Sequence, residues 1–553
     1  MVLREPFLRL IPLGGLGEVG MNCMILEYKD TRIMIDCGVM FPDQEYGVNL
    51  IAPDFSYIYD KKLDAIILTH AHDDHIGATP FLLREIEPPP IMSDKFTLGL
   101  LREKLKEAGV LHIADLRYIS PNNPIKIGDF KIIPFRVSHS TAQTMGLVIK
   151  TDRHTIVHTS DYKLGYRTKE DGITDLEEIK RIAKRKIDLL LADSTNIEER
   201  GRAGSEKKLK EYLFNIIKRH PGRVFISLFS TSIPRIQGIL DIAKELGRYV
   251  VLVGRSMQTS VSVATSLGLL RYPSSLMRTP EQASQLDKRK VLFIISGTQG
   301  EPNSSLKRLS QNQLRKIKIE EDDLIILSSK FIPGNELSIY RMISDLCRLG
   351  AKVLHQNLDP NVHVSGHAYR DEQREVLESL NPRFFIPVHG NYHYLKLHEE
   401  LAHSVGIKNT LVMENGDVVG FDGAELSKIG KVPSGKMHID GLTGIEDIVL
   451  QDRMNLAESG VVTAVLIVDV DRGELMIEPQ LITRGVVFED ANRQLLDSAS
   501  KSLKRAYENS HINLRKDPEQ IKQLAQKTLR KFFLKELARK PVALVMVIPV
   551  TTI

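Results

Sequence analysis

The chain has no tryptophan, and aromatic residues fill only 6% of its 553 positions. It carries three cysteines, Cys23, Cys37 and Cys347, widely spaced and in no CxxC pair. So few thiols exclude a disulfide framework and point to a reducing compartment. No apolar stretch approaches the roughly 20 residues that span a bilayer. The longest runs, Val461–Val468 and Val542–Val550, are short, rich in β-branched residues and read as buried strands. The opening Met-Val-Leu-Arg-Glu-Pro lacks the apolar segment of a signal peptide. These absences predict a cytoplasmic protein with no membrane contact. Charge of one sign is also scarce overall, at net +5, but Lys501 to Ile553 holds twelve basic and four acidic side chains. A basic segment of that kind favours a polyanionic partner. Hydrophobic content of 42% is ordinary for a globular protein, and the length predicts about three domains.

What the chain does have is His70-Ala-His72-Asp-Asp74-His75, directly after the apolar run Ala65–Leu68. A strand ending in a loop can aim such side chains at one point. Imidazoles and carboxylates are the ligands that zinc and similar ions take when thiolates are absent. Further strand ends supply His139, after Val137-Ser138, and Asp161, after Thr159-Ser160. Phe384-Phe-Ile-Pro-Val-His389-Gly390 supplies a last imidazole. A two-metal hydrolase is the expectation.

HxHxDH at a strand end resembles the signature of the metallo-β-lactamase superfamily, and His139, Asp161 and His389 are similar to its later motifs. The resemblance implies two ions between two β-sheets flanked by helices. One ion would take His70, His72 and His139, the other Asp74, His75 and His389, with Asp161 between them.

The Gly15, Gly17 and Gly20 spacing is a literal GxGxxG. A dinucleotide-binding fold needs a helix to follow, whereas Cys23–Tyr28 and Arg32–Asp36 read as strands, so the glycines predict a tight turn. From Ser205 the pattern becomes helix–strand alternation: helical 206–219 and 236–246, with strands 223–228, 249–253, 291–295 and 324–327. This predicts parallel strands with crossover helices. Asp161 and His389 are 228 residues apart, so about 160 residues are inserted over the metal cleft, which suits a long, threaded substrate. The expected division is a first domain at 1–204 resuming at 368–430, an inserted α/β domain at 205–367, a linker at 431–450 that is loosely ordered over 431–441, and a C-terminal α+β domain at 451–553. In the last, strands 461–468 and 474–478 precede helices at 490–509 and 517–539. The second helix carries Ile521, Leu524, Ala525, Thr528, Leu529, Phe532 and Phe533 on one stripe, between Asp517-Pro518 and Pro541.

Asp193-Ser-Thr-Asn196, Ser296-Gly-Thr-Gln-Gly-Glu-Pro302, Ile332-Pro-Gly-Asn-Glu336, His363-Val-Ser-Gly-His367 and Pro387-Val-His-Gly390 resemble the β-CASP nuclease branch of that superfamily, and within it the ribonuclease J family. The similarity runs along essentially the whole chain. It implies an αββα sandwich with an inserted β-CASP domain, and two Zn2+ per subunit, with Mn2+ as the substitute. It implies 5′-to-3′ exonuclease and endonuclease action on single-stranded RNA, in rRNA processing and mRNA decay. Asp74, His367 and Asp193 become the catalytic set, with His367 donating a proton to the leaving oxygen and Asp193 orienting it. Thr231, Ser232 and Ile233, with His363, Val364, Ser365, Gly366 and His367, would hold the substrate, its 5′-monophosphate included. Implied partners are a second copy or three in a homodimer or homotetramer, and a helicase or the ribosome. The alternatives are a purely internal β-CASP endonuclease and an idle RNA-binding scaffold. The chain departs from the family at Thr231-Ser-Ile-Pro-Arg235, where an amide and an imidazole are missing, and at Lys330, where a serine is common. Lys330 is the expected replacement for the lost phosphate contacts. His112, His154, His220, His398, His403 and His511 read as surface or packing residues, and His158 has no assigned role.

Overall fold

A computed structural model describes residues 4–5, 7–42, 46–166, 168, 171–441 and 443–550. Contacts divide the chain into one unit of Met1–Asp43 and Leu50–Met437 and a second of Gln44–Asn49 and His438–Ile553.

In the first unit two sheets face each other. One runs in the order Leu426–Lys431, Asp417–Phe421, Leu8–Gly14, Cys23–Tyr28, Thr31–Ile35, Ala65–Ile67, Pro90–Ser93, Asp115–Tyr118. The other runs Phe384–Val388, Leu189–Asp193, Thr155–His158, Met145–Lys150, Phe130–Arg136, Ile125–Ile127. Successive strand residues point to opposite faces. Leu10, Leu26, Ile33 and Ile67 therefore meet Ile132, Leu147, Leu189 and Ile386 in a shared core. The alternate residues Ile133, Val148, Leu190 and Phe385 point outward, into a core shared with Ile179, Val376, Leu377 and Leu401 of three covering helices. On the far side of the sandwich, helix Lys95–Glu107 packs on Pro90–Ser93 and Asp115–Tyr118. It starts where Asp94 accepts from the backbone N–H of Phe96 and Thr97 at 2.7 and 3.0 Å. This is the expected αββα sandwich.

Between these halves the chain builds a five-stranded sheet, in the order Tyr249–Val253, Val291–Ile295, Val224–Ser227, Leu324–Leu327, Lys352–His355. Every pairing in it is parallel. Both faces are covered: Val224 and Ile226 lie in one core, Phe225 and Ile325 in another. That is why these strands read as unbroken apolar runs. Phe96 and Leu100 of helix Lys95–Glu107 belong to the first of those cores, so the insert is packed onto the sandwich through that helix. The carboxyl ends of Val224–Ser227 and Leu324–Leu327 lie side by side, in register at Ser227 and Leu327. Ligands gather at such ends in open parallel sheets.

After Gly20 the chain enters strand Cys23–Tyr28, with Gly15, Gly17 and Gly20 at φ of +87°, +83° and +96°. The glycines make a turn, as expected, and no helix follows them.

The second unit centres on Val461–Asp469, flanked by antiparallel Gln480–Arg484 and Glu474–Leu475 and parallel Val542–Val550. Helices Arg493–Glu508 and Pro518–Leu537 bury Leu503, Tyr507, Ile521, Ala525, Leu529 and Phe533 against it. Asp517 caps the second helix through the N–H groups of Glu519 and Gln520. The strand expected at 474–478 is only two residues long. The stretch expected to be loose within the 431–450 linker, 431–441, is irregular only at 432–435. Lys436–Asp440 pairs with Thr443–Ile445, and helix Asp447–Ser459 follows. Residues 432–435 are irregular, and with Ile439 its one fully buried residue, the strand after them carries little apolar signal.

Candidate active site

The loop after Ala65–Ile67 turns straight into the short helix Asp73–Ile76. Gly38 makes that turn possible: a Cβ there would stand 1.7 Å from the carbonyl oxygen of Asp74. Cys37 N–H donates to His75 O at 2.8 Å and Asn22 N–H to Asp74 O at 2.9 Å. Two neighbouring strands thus hold the HxHxDH tract by its backbone.

The seven expected metal ligands converge. Single donor atoms of His70, His72, His139 and Asp161 lie within 4.8 Å of one another, and so do those of Asp74, His75, Asp161 and His389. Asp161 belongs to both groups. Its Oδ2 lies 3.6, 3.2 and 3.7 Å from the Nε2 atoms of His70, His75 and His139. All but Asp74 and His72 are buried. His389 and Ser160, which precedes Asp161, adopt left-handed backbone at φ +55° and +57°. Such strain persists only where surrounding contacts enforce it.

Hydrogen bonds settle which nitrogen of His70, His75 and His139 faces inward. His139 Nδ1 donates to Gly366 O at 2.8 Å. His75 Nδ1 donates to Asp36 Oδ2 at 2.8 Å. Thr69 gives its hydroxyl proton to the same Asp36 oxygen at 2.9 Å, so it accepts from His70 Nδ1 at 3.0 Å. The Nε2 lone pairs of His70 and His139 therefore point inward, 3.1 and 3.2 Å from His72 Nδ1. Burial pushes His70, His72 and His139 toward the neutral form, His70 and His139 strongly. At His75 and His389 burial acts the same way, but the Asp161 carboxylate overrides it and raises both. Nitrogen lone pairs meeting beside buried carboxylates are the donor set of a divalent cation.

A second constellation adjoins the first. His367 Nδ1 lies 2.7 Å from Asp193 Oδ2, and His367 Nε2 lies 3.8 Å from Asp161 Oδ2. Burial opposes a charged His367, and Asp193 followed by Asp161 overcomes it, raising the imidazole. Ser365 Oγ accepts from Asn196 Nδ2 at 2.9 Å and from His367 N–H at 3.1 Å, which fixes the loop.

The remaining substrate-binding candidates sit at the insert's strand ends. Ser232 is the N-cap of helix Ile233–Glu245, with Thr231 before it. The Ser232 hydroxyl is buried without a hydrogen-bond partner, as is that of Ser329. The His363–His367 loop spans both regions. Gly366 O reaches His139, whereas His363 Nδ1 and Val364 O reach Arg235, three residues beyond Ser232.

Two residues escaped the sequence reading. Asp36, which directly follows the strand Thr31–Ile35, accepts from His75, from Thr69 Oγ1 and from Thr69 N–H at 2.7 Å. Asn22 Nδ2 contacts His75 Nε2 at 3.1 Å. An acidic residue closing an apolar strand was the available signal for Asp36. His158 acquires a structural role, because its Nδ1 accepts from Ser160 N–H at 3.1 Å, and burial pushes it down to about 4. Lys330 does not stand free for a phosphate. Its Nζ donates to Asn196 Oδ1 at 2.8 Å and to Glu199 Oε1 at 2.9 Å.

A sandwich with His and Asp clusters at its strand ends, carrying an inserted parallel α/β domain, defines a metallo-β-lactamase-type hydrolase of the β-CASP class. Family models agree along the chain: "Beta-lactamase superfamily domain" over 31–216, "Ribonuclease J, beta-CASP domain" over 221–346, "Zn-dependent metallo-hydrolase RNA specificity domain" over 353–412, and "Ribonuclease J C-terminal domain" over 448–550. Ribonuclease J of Mycobacterium tuberculosis is 36% identical over 550 residues, 98% of this chain and 97% of that one. Ribonuclease J of Thermus thermophilus is 37% identical over 558 residues, 98% and 96% of the two chains. That of Helicobacter pylori is 33% identical over 96% of this chain and 78% of its own. A solved protein of unknown function from Enterococcus faecalis shares the fold at TM-score 0.54 and 18% identity, covering 75% of this chain and 100% of that one. The chain belongs to the ribonuclease J family. It is a nuclease with an RNA-specificity domain and a candidate metal centre. No helix among the described residues is long and apolar enough to cross a membrane.

Proposed function

We propose that the protein is a metal-dependent ribonuclease that degrades single-stranded RNA from a 5′-monophosphate end and also cuts internally. The observation that carries this reading is the meeting of ring nitrogens of His70, His72 and His139 beside Asp161, next to the Asp193–His367 pair.

The donor set fits two divalent ions. His70, His72, His139 and Asp161 would hold one, and Asp74, His75, Asp161 and His389 the other. Zn2+ suits these ligands and Mn2+ is the substitute. When bound, such ions activate water and offset charge on the phosphoryl group.

The protein's own residues do the rest. Asp36 and Gly366 O fix the ring nitrogens that face inward at His75 and His139. Asp74, the most exposed of the acidic side chains, accepts the proton of the attacking water. His367, held protonated by Asp193, delivers a proton to the leaving oxygen. Thr231, Ser232 and Ile233 at a helix N-terminus, with His363, Val364, Ser365 and Gly366, form the substrate cradle. The unpartnered Ser232 hydroxyl supports a phosphate there. Homologous ribonucleases support RNA as substrate. To the C-terminal unit we assign assembly of a homodimer or homotetramer. A helicase or the ribosome is the expected company in RNA decay, and the cytoplasm the expected site.

The test uses 5′-labelled RNA with a monophosphate, triphosphate or hydroxyl end, with zinc, manganese or chelator. Chelator-sensitive release of labelled mononucleotide, fastest from the monophosphate, is the expected result. Internal fragments indifferent to the 5′ group would replace this reading by the purely internal nuclease. No cleavage at all would leave an RNA-binding scaffold.

A further inference from the structure

Arg235 stands out because it is a buried cation beside the proposed substrate cradle whose donors are all taken by acceptors of the protein itself. It is 5% exposed. A guanidinium has five N–H donors, and each finds an acceptor here. Nε and Nη2 grip Glu206 at 3.1 and 2.5 Å. Nη2 also donates to Val364 O at 2.7 Å. Nη1 donates to Ser328 O at 2.8 Å and to His363 Nδ1 at 3.0 Å.

These acceptors come from segments far apart in the chain. Glu206 opens helix Glu206–Arg219, where the chain enters the insert. His363 and Val364 lie where it returns. Ser328 closes strand Leu324–Leu327, and Arg235 itself sits three residues after Ser232. Two residues beyond Val364, Gly366 O fixes His139, and His367 pairs with Asp193. One side chain therefore ties the loop proposed to hold the RNA end to the loop that sets a metal-ligand imidazole and the proton donor.

We infer that Arg235 is a positioning residue that sets the spacing between the 5′-end cradle and the cleavage centre, and thereby the length of the released product. This rests on the end-first reading proposed above. A bidentate pair in a buried site holds a fixed geometry, and a lysine, with three donors on a flexible stem, cannot reproduce it. A loosened spacer lets the chain advance by more than one nucleotide before cleavage. A purely structural role would lower rate and stability without changing product length.

The experiment compares the unaltered protein with Arg235→Lys and Glu206→Gln on 5′-labelled, 5′-monophosphorylated RNA with zinc. Products are resolved to single nucleotides, and zinc per chain is measured for each. The unaltered protein is expected to release mononucleotide alone. Both variants are expected to keep their zinc, to release di- and trinucleotides as well, and to lose up to about a hundredfold in kcat/KM, as small misplacements do. Glu206→Gln keeps the shape of the pair and carries the test if Arg235→Lys does not fold. Mononucleotide as the sole product of a zinc-loaded variant, whatever its rate, overturns the inference while leaving the end-first reading intact. Absence of labelled mononucleotide from the unaltered protein overturns that reading, and the inference with it.

Discussion

His367 is held between two carboxylates, with Nδ1 2.7 Å from Asp193 Oδ2 and Nε2 3.8 Å from Asp161 Oδ2. The first contact orients the ring and keeps it charged. The second places its free N–H at the edge of the candidate metal cluster, where a leaving oxygen would emerge.

Replacing His367 by Gln is therefore expected to lower kcat by about 10²- to 10⁴-fold, the range typical of a lost general acid. Sulfur in place of the leaving oxygen needs no proton, so a bridging phosphorothiolate substrate is expected to recover most of the loss. Equal losses on both substrates would remove the proton-donor role.

Asp36 accepts from His75 Nδ1 and from both donors of Thr69. Partners of this kind are worth about 10- to 100-fold in metal affinity. Asp36→Asn is expected to weaken zinc binding by that amount, measured by equilibrium dialysis. Unchanged affinity would show that His75 needs no orienting partner.

Gly38 leaves no room for a side chain, since a Cβ would meet Asp74 O at 1.7 Å. Gly38→Ala is expected to displace the Asp73–His75 turn, and zinc per chain to fall below that of the unaltered protein. Full zinc occupancy with unaltered activity would refute this.

Lys330 is already matched by Glu199 at 2.9 Å. Lys330→Met is expected to leave the preference for a 5′-monophosphate over a 5′-hydroxyl within about twofold. Its effect on stability should be below about 1 kcal/mol, as for exposed ion pairs. Collapse of the preference would restore Lys330 as a phosphate ligand.

His398 is buried beside Phe385, and Ser194 Oγ lies 3.0 Å from its Nδ1. Burial pushes this imidazole down to about 3. Its folded value lies below the unfolded one near 6.5, so the unfolded chain binds the extra proton between these limits. Its contribution is complete above about pH 6.5 and is lost as pH falls toward 3, by up to about 1.4 kcal/mol per pH unit. His398→Phe is expected to flatten the stability–pH slope by one proton in that window, measured by denaturant titration at pH 5 and 7.

The seven clustered side chains were legible because the HxHxDH tract, His139, Asp161 and His389 each follow an apolar strand, where polar residues interrupt the run. The αββα sandwich followed from the resemblance those motifs carry, and the parallel insert from the helix–strand alternation. Helix Pro518–Leu537 was legible from its stripe and from Asp517-Pro518, and Ile521, Ala525, Leu529 and Phe533 are its buried members. Asp36 was not legible, because one acidic residue after a strand is also how an ordinary turn begins. The five contacts of Arg235 lie with residues 29 to 129 positions away, which no local pattern records. Lys330 misled because sequence shows a charge but not the Glu199 that faces it. The strand Lys436–Asp440 was missed because Ile439 alone of its five residues is fully buried.

The three thiols are unequally placed. Cys23 and Cys37 are sealed behind the His75 turn, and burial raises both, whereas Cys347 lies exposed on helix Glu336–Arg348 of the insert. A maleimide dye or spin label will therefore react at one position, with no cysteine to remove first. The native chain comes ready for a single reporter on its inserted domain.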